Sequence, residues 1–75
     1  MRTTQATREQ FAANLRDHRK RIGLTQEELA HACDLHPTAV GKLECRTRTP
    51  RLDTVVALSR ALGLQSPCEL MQGIR

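Results

Sequence analysis

The sequence predicts an all-α domain of five short helices. Apolar residues recur at three- and four-residue spacing, and no stretch alternates apolar and polar residues as a half-buried strand does. Capping residues and glycines fall at the ends of these periodic stretches, where helices start and stop. Length is the third observation. A chain of 75 residues makes one domain. At that size only ~60% of the unfolded surface is buried on folding, so the core is small and a second subunit would add to it.

Residues 1–6 carry no apolar period and are expected to form a flexible N-terminal arm, with the domain proper over 7–75. Thr7 and Gln10 have capping-box spacing, and Phe11, Leu15, His18 and Ile22 then mark one face of the first helix. Gly23 ends it. Thr25 and Glu28 form a second capping box, and Leu24 and Leu29 stand where a hydrophobic staple places its two residues. Asp34 follows Cys33 at the next turn, and Asp tolerates a left-handed backbone better than most residues. Pro37 suits the first position of a third helix, Pro37 to Glu44. Cys45 to Arg51 is a basic loop. Leu52, Val55, Val56, Ser59 and Leu62 make one face of a fourth helix closed by Gly63. Ser66, Pro67 and Glu69 combine a capping box with a first-turn proline, starting a short fifth helix with Leu70, Met71 and Ile74.

Composition narrows the partner. Twelve Lys+Arg against eight Asp+Glu give a net charge of +4, and ten of the twelve cations are Arg. Such a balance favours a polyanion, and guanidinium suits phosphate better than ammonium does. The single aromatic residue, Phe11, offers no stacking platform for single-stranded nucleic acid. No apolar run approaches the ~20 residues that span a bilayer, and no signal-peptide segment opens the chain. The expected location is the cytoplasm, with no membrane partner. Cys33, Cys45 and Cys68 are odd in number and contain no C-x-x-C pair, which fits reduced thiols and leaves the redox role of Cys45 and Cys68 open.

The stretch from Thr25 to Glu44 reads as two short helices joined by a tight turn, with Leu29, Ala30, Cys33, Leu35, Val40 and Leu43 facing inward. One helix packed across the other leaves the polar side of the second free to enter the major groove of DNA. With Leu15–Arg19, the run Gly23–Ala30, Leu43-Glu44 ahead of Pro50, and Ala61–Leu64, the chain resembles the lambda-repressor-like (Xre/Cro) family of DNA-binding domains over residues 8–74. The small size is similar to that of controller proteins, Cro-like phage regulators and small antitoxins.

The resemblance implies a role for each matching position. Gln26, at the start of the second helix, is placed against a phosphate, where free N–H groups and the positive dipole end favour an anion. His36, Pro37, Thr38, Gly41 and Lys42 form the outward side of the recognition helix. Lys42 can donate to guanine O6 and N7, and Thr38 can bond a base edge or touch a thymine methyl. Pro37 offers apolar contact, and Gly41 lets the backbone approach closely. His36 caps the helix, reaches a phosphate or does neither. Arg46, Arg48 and Arg51 are expected on phosphates, with Arg51 in reach of a minor groove. The family commonly has Gly where Arg46 stands. Its matching Arg and Glu often pair beneath the recognition helix, so Arg19 and Glu44 are expected to be a structural ion pair and not DNA contacts.

His31, Cys33 and His36 resemble a metal string, but Cys33 occupies a core position and His31 faces the other way, so no metal is expected. His18, on an apolar face, reads as a core histidine. No catalytic set and no cofactor loop stands out, so no enzyme activity is expected. The expected function is sequence-specific binding of double-stranded DNA by a homodimer on an inverted repeat, with Leu64, Leu70, Met71 and Ile74 as the dimer surface; Leu64 and Leu70 could instead close the monomer core. Repression would act by occupying a promoter, and activation by a contact with RNA polymerase. The alternatives are a protein-interaction module such as a toxin-binding antitoxin, and a nonspecific architectural DNA protein.

Overall fold

The computed structural model describes residues 2–73, with side chains from Ala6 onward. Four α-helices follow one another: α1 (Arg2–Arg21), α2 (Gln26–Ala32), α3 (Pro37–Glu44) and α4 (Leu52–Ala61), then a 3₁₀ turn over Pro67–Met71. Phe11, Leu15, Leu29, Ala30, Val40, Leu43, Val55, Leu58, Leu62 and Leu70 form one core, with Leu24, Cys33, Leu35, Ala61 and Leu64 packed on it. Helix α2 lies across α3, α1 backs onto α3 and the 3₁₀ turn, and α4 closes the other side of that turn.

Local chemistry starts each element. Thr25 Oγ1 accepts from the Glu28 N–H at 3.0 Å while Glu28 Oε1 accepts from the Thr25 N–H at 2.8 Å, completing the capping box of α2. His36 caps α3: its Nδ1 accepts the Thr38 N–H at 3.1 Å, ahead of Pro37 at the first helical position. His36 thus fills one of the roles left open for it, the cap.

The helix ends share one geometry. Each α-helix runs into a residue with positive φ: Gly23 (76°), Asp34 (58°), Arg46 (66°) and Gly63 (73°). The following N–H bonds back across the last turn, from Leu24 to Arg19 O, Leu35 to Ala30 O, Thr47 to Lys42 O and Leu64 to Ser59 O. These are Schellman closures, which normally seat an apolar residue just past the left-handed one. Leu24, Leu35 and Leu64 do that and pack on the core. Thr47 does not: its hydroxyl donates to Lys42 O at 3.1 Å.

Several expectations need correction. The described residues hold four α-helices, not five, because the terminal element is a five-residue 3₁₀ turn, too short to complete an α-helical nucleus. Its cap also differs from a capping box: Ser66 Oγ accepts from Cys68 N–H, and Glu69 accepts from Gln65 N–H. Helix α1 begins at Arg2, not at Thr7, so helical backbone covers 2–6, where an arm is expected. Ile22 is 50% exposed and Leu52 80% exposed. Both sit at helix ends, past the reach of a neighbouring element. Leu70 is fully buried and belongs to the monomer core. Ile74 lies outside the described residues.

Candidate nucleic-acid interface

Helix α3 divides cleanly by burial. Val40, Leu43 and Glu44 are buried, while Pro37, Thr38 and Lys42 are exposed and Gly41 is half-exposed. The exposed side borders a shallow concavity shared with the start of α2, lined by Thr25, Gln26, Pro37, Thr38, Gly41 and Lys42. Gly41 needs no special backbone angle, and a Cβ there would meet only Gln26 Oε1 at 3.8 Å. Packing within the protein therefore does not demand glycine at this position.

Beneath that face sits one buried carboxylate. Glu44, the last residue of α3, is 1% exposed. Arg19 of α1 grips it with two bonds, Nε to Oε2 at 2.6 Å and Nη2 to Oε1 at 2.9 Å. Arg19 Nη1 also donates to Leu24 O at 2.8 Å, tying the end of α1 to the start of α2. Gln26 Nε2 donates to Glu44 Oε1 at 3.0 Å. Arg16 adds a bond from Nη2 to the Glu44 carbonyl at 3.1 Å and stands 3.7 Å from the carboxylate. Burial alone would push the Glu44 carboxyl up. The hydrogen bonds from Arg19 and Gln26, with the charges of Arg19 and Arg16, outweigh it and hold the carboxyl below its ordinary value. The hydrogen bond to Glu44 in turn raises Arg19, against its own desolvation. Two helices thus fix the angle of the third through a fully satisfied ion pair, the arrangement in which a buried pair is stable and its half is not.

Gln26 therefore has an internal partner. One hydrogen of its side-chain NH₂ is committed to Glu44, and the groups at the start of α2 without helical partners are the first-turn N–H groups. Acidic Glu27 and Glu28 share that turn.

Arg46, Arg48 and Arg51 are all exposed and follow α3 directly. Arg46 takes a left-handed angle, φ 66°, at the position where the family commonly has Gly. Arg51 lies 3.6 Å from Asp53, a solvent-exposed pair. Sequence reasoning missed two further arginines at this loop. Arg8 Nε donates to Thr49 Oγ1 at 2.8 Å, and Arg16 reaches the Glu44 carbonyl. Both lie inside the helix expected from Thr7 onward, and the partners that place them, Thr49 and Glu44, are 41 and 28 residues away in the sequence. Asn14 was also missed: its amide donates to Leu70 O at 2.9 Å and Gln72 O at 2.8 Å, fastening the C-terminal turn to α1.

A short helix laid across another, a polar outward side on the second, and a basic loop at its exit match the helix-turn-helix family (HTH_3) over residues 15–70. The chain belongs to this lambda-repressor-like helix-turn-helix family. It is 45% identical over 42 residues to control protein C.BamHI of Bacillus amyloliquefaciens, a match spanning 56% of this chain and 52% of that protein, about half its length. It is 37% identical over 60 residues to control protein C.SmaI of Serratia marcescens, covering 80% of this chain and 71% of the relative. The fold is similar to that of the restriction-modification controller protein C.AhdI from Aeromonas hydrophila, with TM-score 0.83, 35% identity and 87% and 97% of the two chains covered. A hypothetical transcription factor from Neisseria, NHTF, matches with TM-score 0.84 and 32% identity over 91% of this chain and 75% of its own.

Other residues singled out in the sequence fall elsewhere. Cys33 is half-buried, its thiol pushed up by burial and directed at Ala57 O, 3.6 Å away. His31 is exposed and His36 is engaged as a cap, so the His-Cys-His string does not converge. His18 is half-buried, with Nε2 3.4 Å from Glu69 O. Cys45 and Cys68 are exposed. Leu64 packs on the core and Met71 is 37% exposed. No helix among the described residues is long and apolar enough to cross a membrane.

Proposed function

We propose that this chain is a sequence-specific DNA-binding transcription regulator of the restriction–modification controller kind, acting as a homodimer on an inverted repeat. The observation that carries this reading is the two-sided α3, with Pro37, Thr38, Gly41 and Lys42 outward over a helix whose other side is locked by Glu44. In this reading the exposed side enters the major groove. Lys42 donates to guanine O6 and N7, Thr38 contacts a neighbouring base, and Gly41 brings the backbone close. Arg46, Arg48 and Arg51 neutralise phosphates beside the groove, and the first-turn N–H groups at Gln26 meet another phosphate.

One α3 covers only a few base pairs, too little information to select a site in a genome, which favours two copies. A two-fold pair places its recognition helices ~34 Å apart, about ten base pairs between half-site centres. Met71 and the exposed edge of Leu64 are the described residues offered to that contact. The likeness to controller proteins supports a restriction–modification setting, in which the regulator would act by occupying a promoter.

Fluorescence anisotropy with duplex DNA from upstream of the chain's own gene, against a shuffled duplex of equal composition, tests the reading. Tighter binding to the natural duplex, by 10³-fold or more, is expected of a specific regulator. Equal binding to both would make this a nonspecific DNA protein, and binding to neither would end the DNA reading.

A further inference from the structure

The loop after α3 is braced from behind by α1, and both braces are arginines. Arg8 holds Thr49 through Nε at 2.8 Å, and Arg16 holds the Glu44 carbonyl through Nη2 at 3.1 Å. The two sit eight residues apart on one helix, ~12 Å along its axis. Neither is consumed by its bond. A guanidinium has five donors, and each of these hydrogen bonds uses a donor from a single nitrogen. The ion pair of Arg16 with Glu44 is long, 3.7 Å, and its side chain is 51% exposed, so its charge is mostly left to solvent. The Glu44 carboxylate is already satisfied by Arg19 and Gln26. An uncharged donor would serve the Thr49 contact of Arg8, while Arg16 adds to its carbonyl bond a charge that helps hold the Glu44 carboxyl down. What the two arginines add is positive charge, held at fixed places against a loop that itself carries exposed Arg46 and Arg48.

We infer that Arg8 and Arg16 form a second cationic rail on α1, which binds the sugar–phosphate backbone of duplex DNA alongside the Arg46–Arg48 loop. The rail makes contacts beyond the groove that α3 reads, on backbone phosphates of any sequence. It rests on the DNA-binding reading above and extends it to a helix outside the α2–α3 pair. Thr49 and the Glu44 carbonyl hold the guanidinium groups in place, so less side-chain freedom is lost on binding than for a free surface arginine.

The test uses the full chain and a random-sequence 30-base-pair duplex, because the rail reads no bases. Binding is titrated from 50 to 200 mM NaCl for the wild type, Arg8→Gln, Arg16→Gln and the double variant, with a thermal melt of each. Glutamine keeps a donor for Thr49 or the carbonyl and removes the charge. Each phosphate that is no longer neutralised lowers the slope of log K against log salt by about 0.9, so the double variant should fall short of the wild type by about 1.8 per chain. A folded double variant with the wild-type slope would overturn the inference and leave both arginines as loop braces. If the double variant fails to melt cooperatively, Arg8→Gln alone decides, since its bond to Thr49 is solvent-exposed: a drop of about 0.9 supports the rail and an unchanged slope refutes it. Wild-type protein that binds no duplex at all would instead remove the DNA-binding reading itself.

Discussion

Gly41 shows how one methyl group separates folding from binding. A Cβ there has room inside the protein, with Gln26 Oε1 at 3.8 Å as its nearest neighbour. Gly41→Ala should therefore stabilise α3 by up to about 1 kcal/mol, the helix-propensity difference. If the α3 backbone approaches base edges, the same methyl should weaken duplex binding by about tenfold or more, on the order of what one base pairing with a side chain is worth. A melt and an anisotropy titration on the same sample check both; a stabilised variant with unchanged affinity would place α3 farther from the bases. Glu44 gives a pH-dependent expectation. Its carboxyl is lowered in the folded protein, so its contribution is present above the unfolded value of about 4.3 and is lost as pH falls through the lower folded value. Thermal melts between pH 6 and 2 should show a fall below about pH 4.3 that Glu44→Gln, already destabilised by leaving Arg19 without its anion, shows only weakly. Parallel curves for the two proteins would remove Glu44 as the titrating group. The left-handed angles at Asp34 and Arg46 were legible only through the family resemblance, since helix-turn-helix units commonly have glycine at both positions. The bond from Gln26 to Glu44 was not: it joins residues 18 apart across a helix crossing, and Gln26 alone reads as an exposed helix start.

Helix ends explain most of what differed between sequence and structure. Periodicity marks the middle of an element well, which is why the α2–α3 unit was readable, although the face expected for α4 omitted Leu58, which is fully buried. At the first or last turn the same pattern continues with nothing left to cover it, as at Ile22 and Leu52. The C-terminal element shows the opposite effect. Its start signals at Ser66 and Pro67 are genuine, but five residues closed by Gly73 make a 3₁₀ turn pinned by buried Leu70 and by Asn14. The sequence left Leu70 open between the monomer core and the dimer surface, and its burial beside an exposed Met71 decides for the core. The Schellman exits carry an element-scale prediction. Asp34 occupies the left-handed region at φ 58°, at a cost of roughly 1–2 kcal/mol for a residue with a Cβ. Against the extra freedom that glycine has when unfolded, Asp34→Gly should still raise stability by about 0.5–1 kcal/mol. A urea midpoint below that of the wild type would show that the Asp34 side chain supplies a compensating bond.

At the scale of the whole molecule, Arg19 and Glu44 couple the recognition helix to α1, and Asn14 couples the C-terminal turn to the same helix. Breaking either coupling should disturb both ends. Arg19→Ala strands a buried carboxylate and should cost ~3–5 kcal/mol, a large share of a small domain's stability. A melt near that of the wild type with DNA binding abolished would make Arg19 a direct DNA contact instead. The central claim is that the exposed side of α3 reads bases, and Lys42 is the residue there best able to do so. The most direct measurement is the ratio of affinities for the natural upstream duplex and its shuffled counterpart, in wild type and in Lys42→Ala. Removing a base-reading side chain worth about 1–3 kcal/mol should lower that ratio by roughly 5- to 150-fold while both proteins melt alike. A ratio that survives Lys42→Ala unchanged would contradict the assignment of α3 as the reading element.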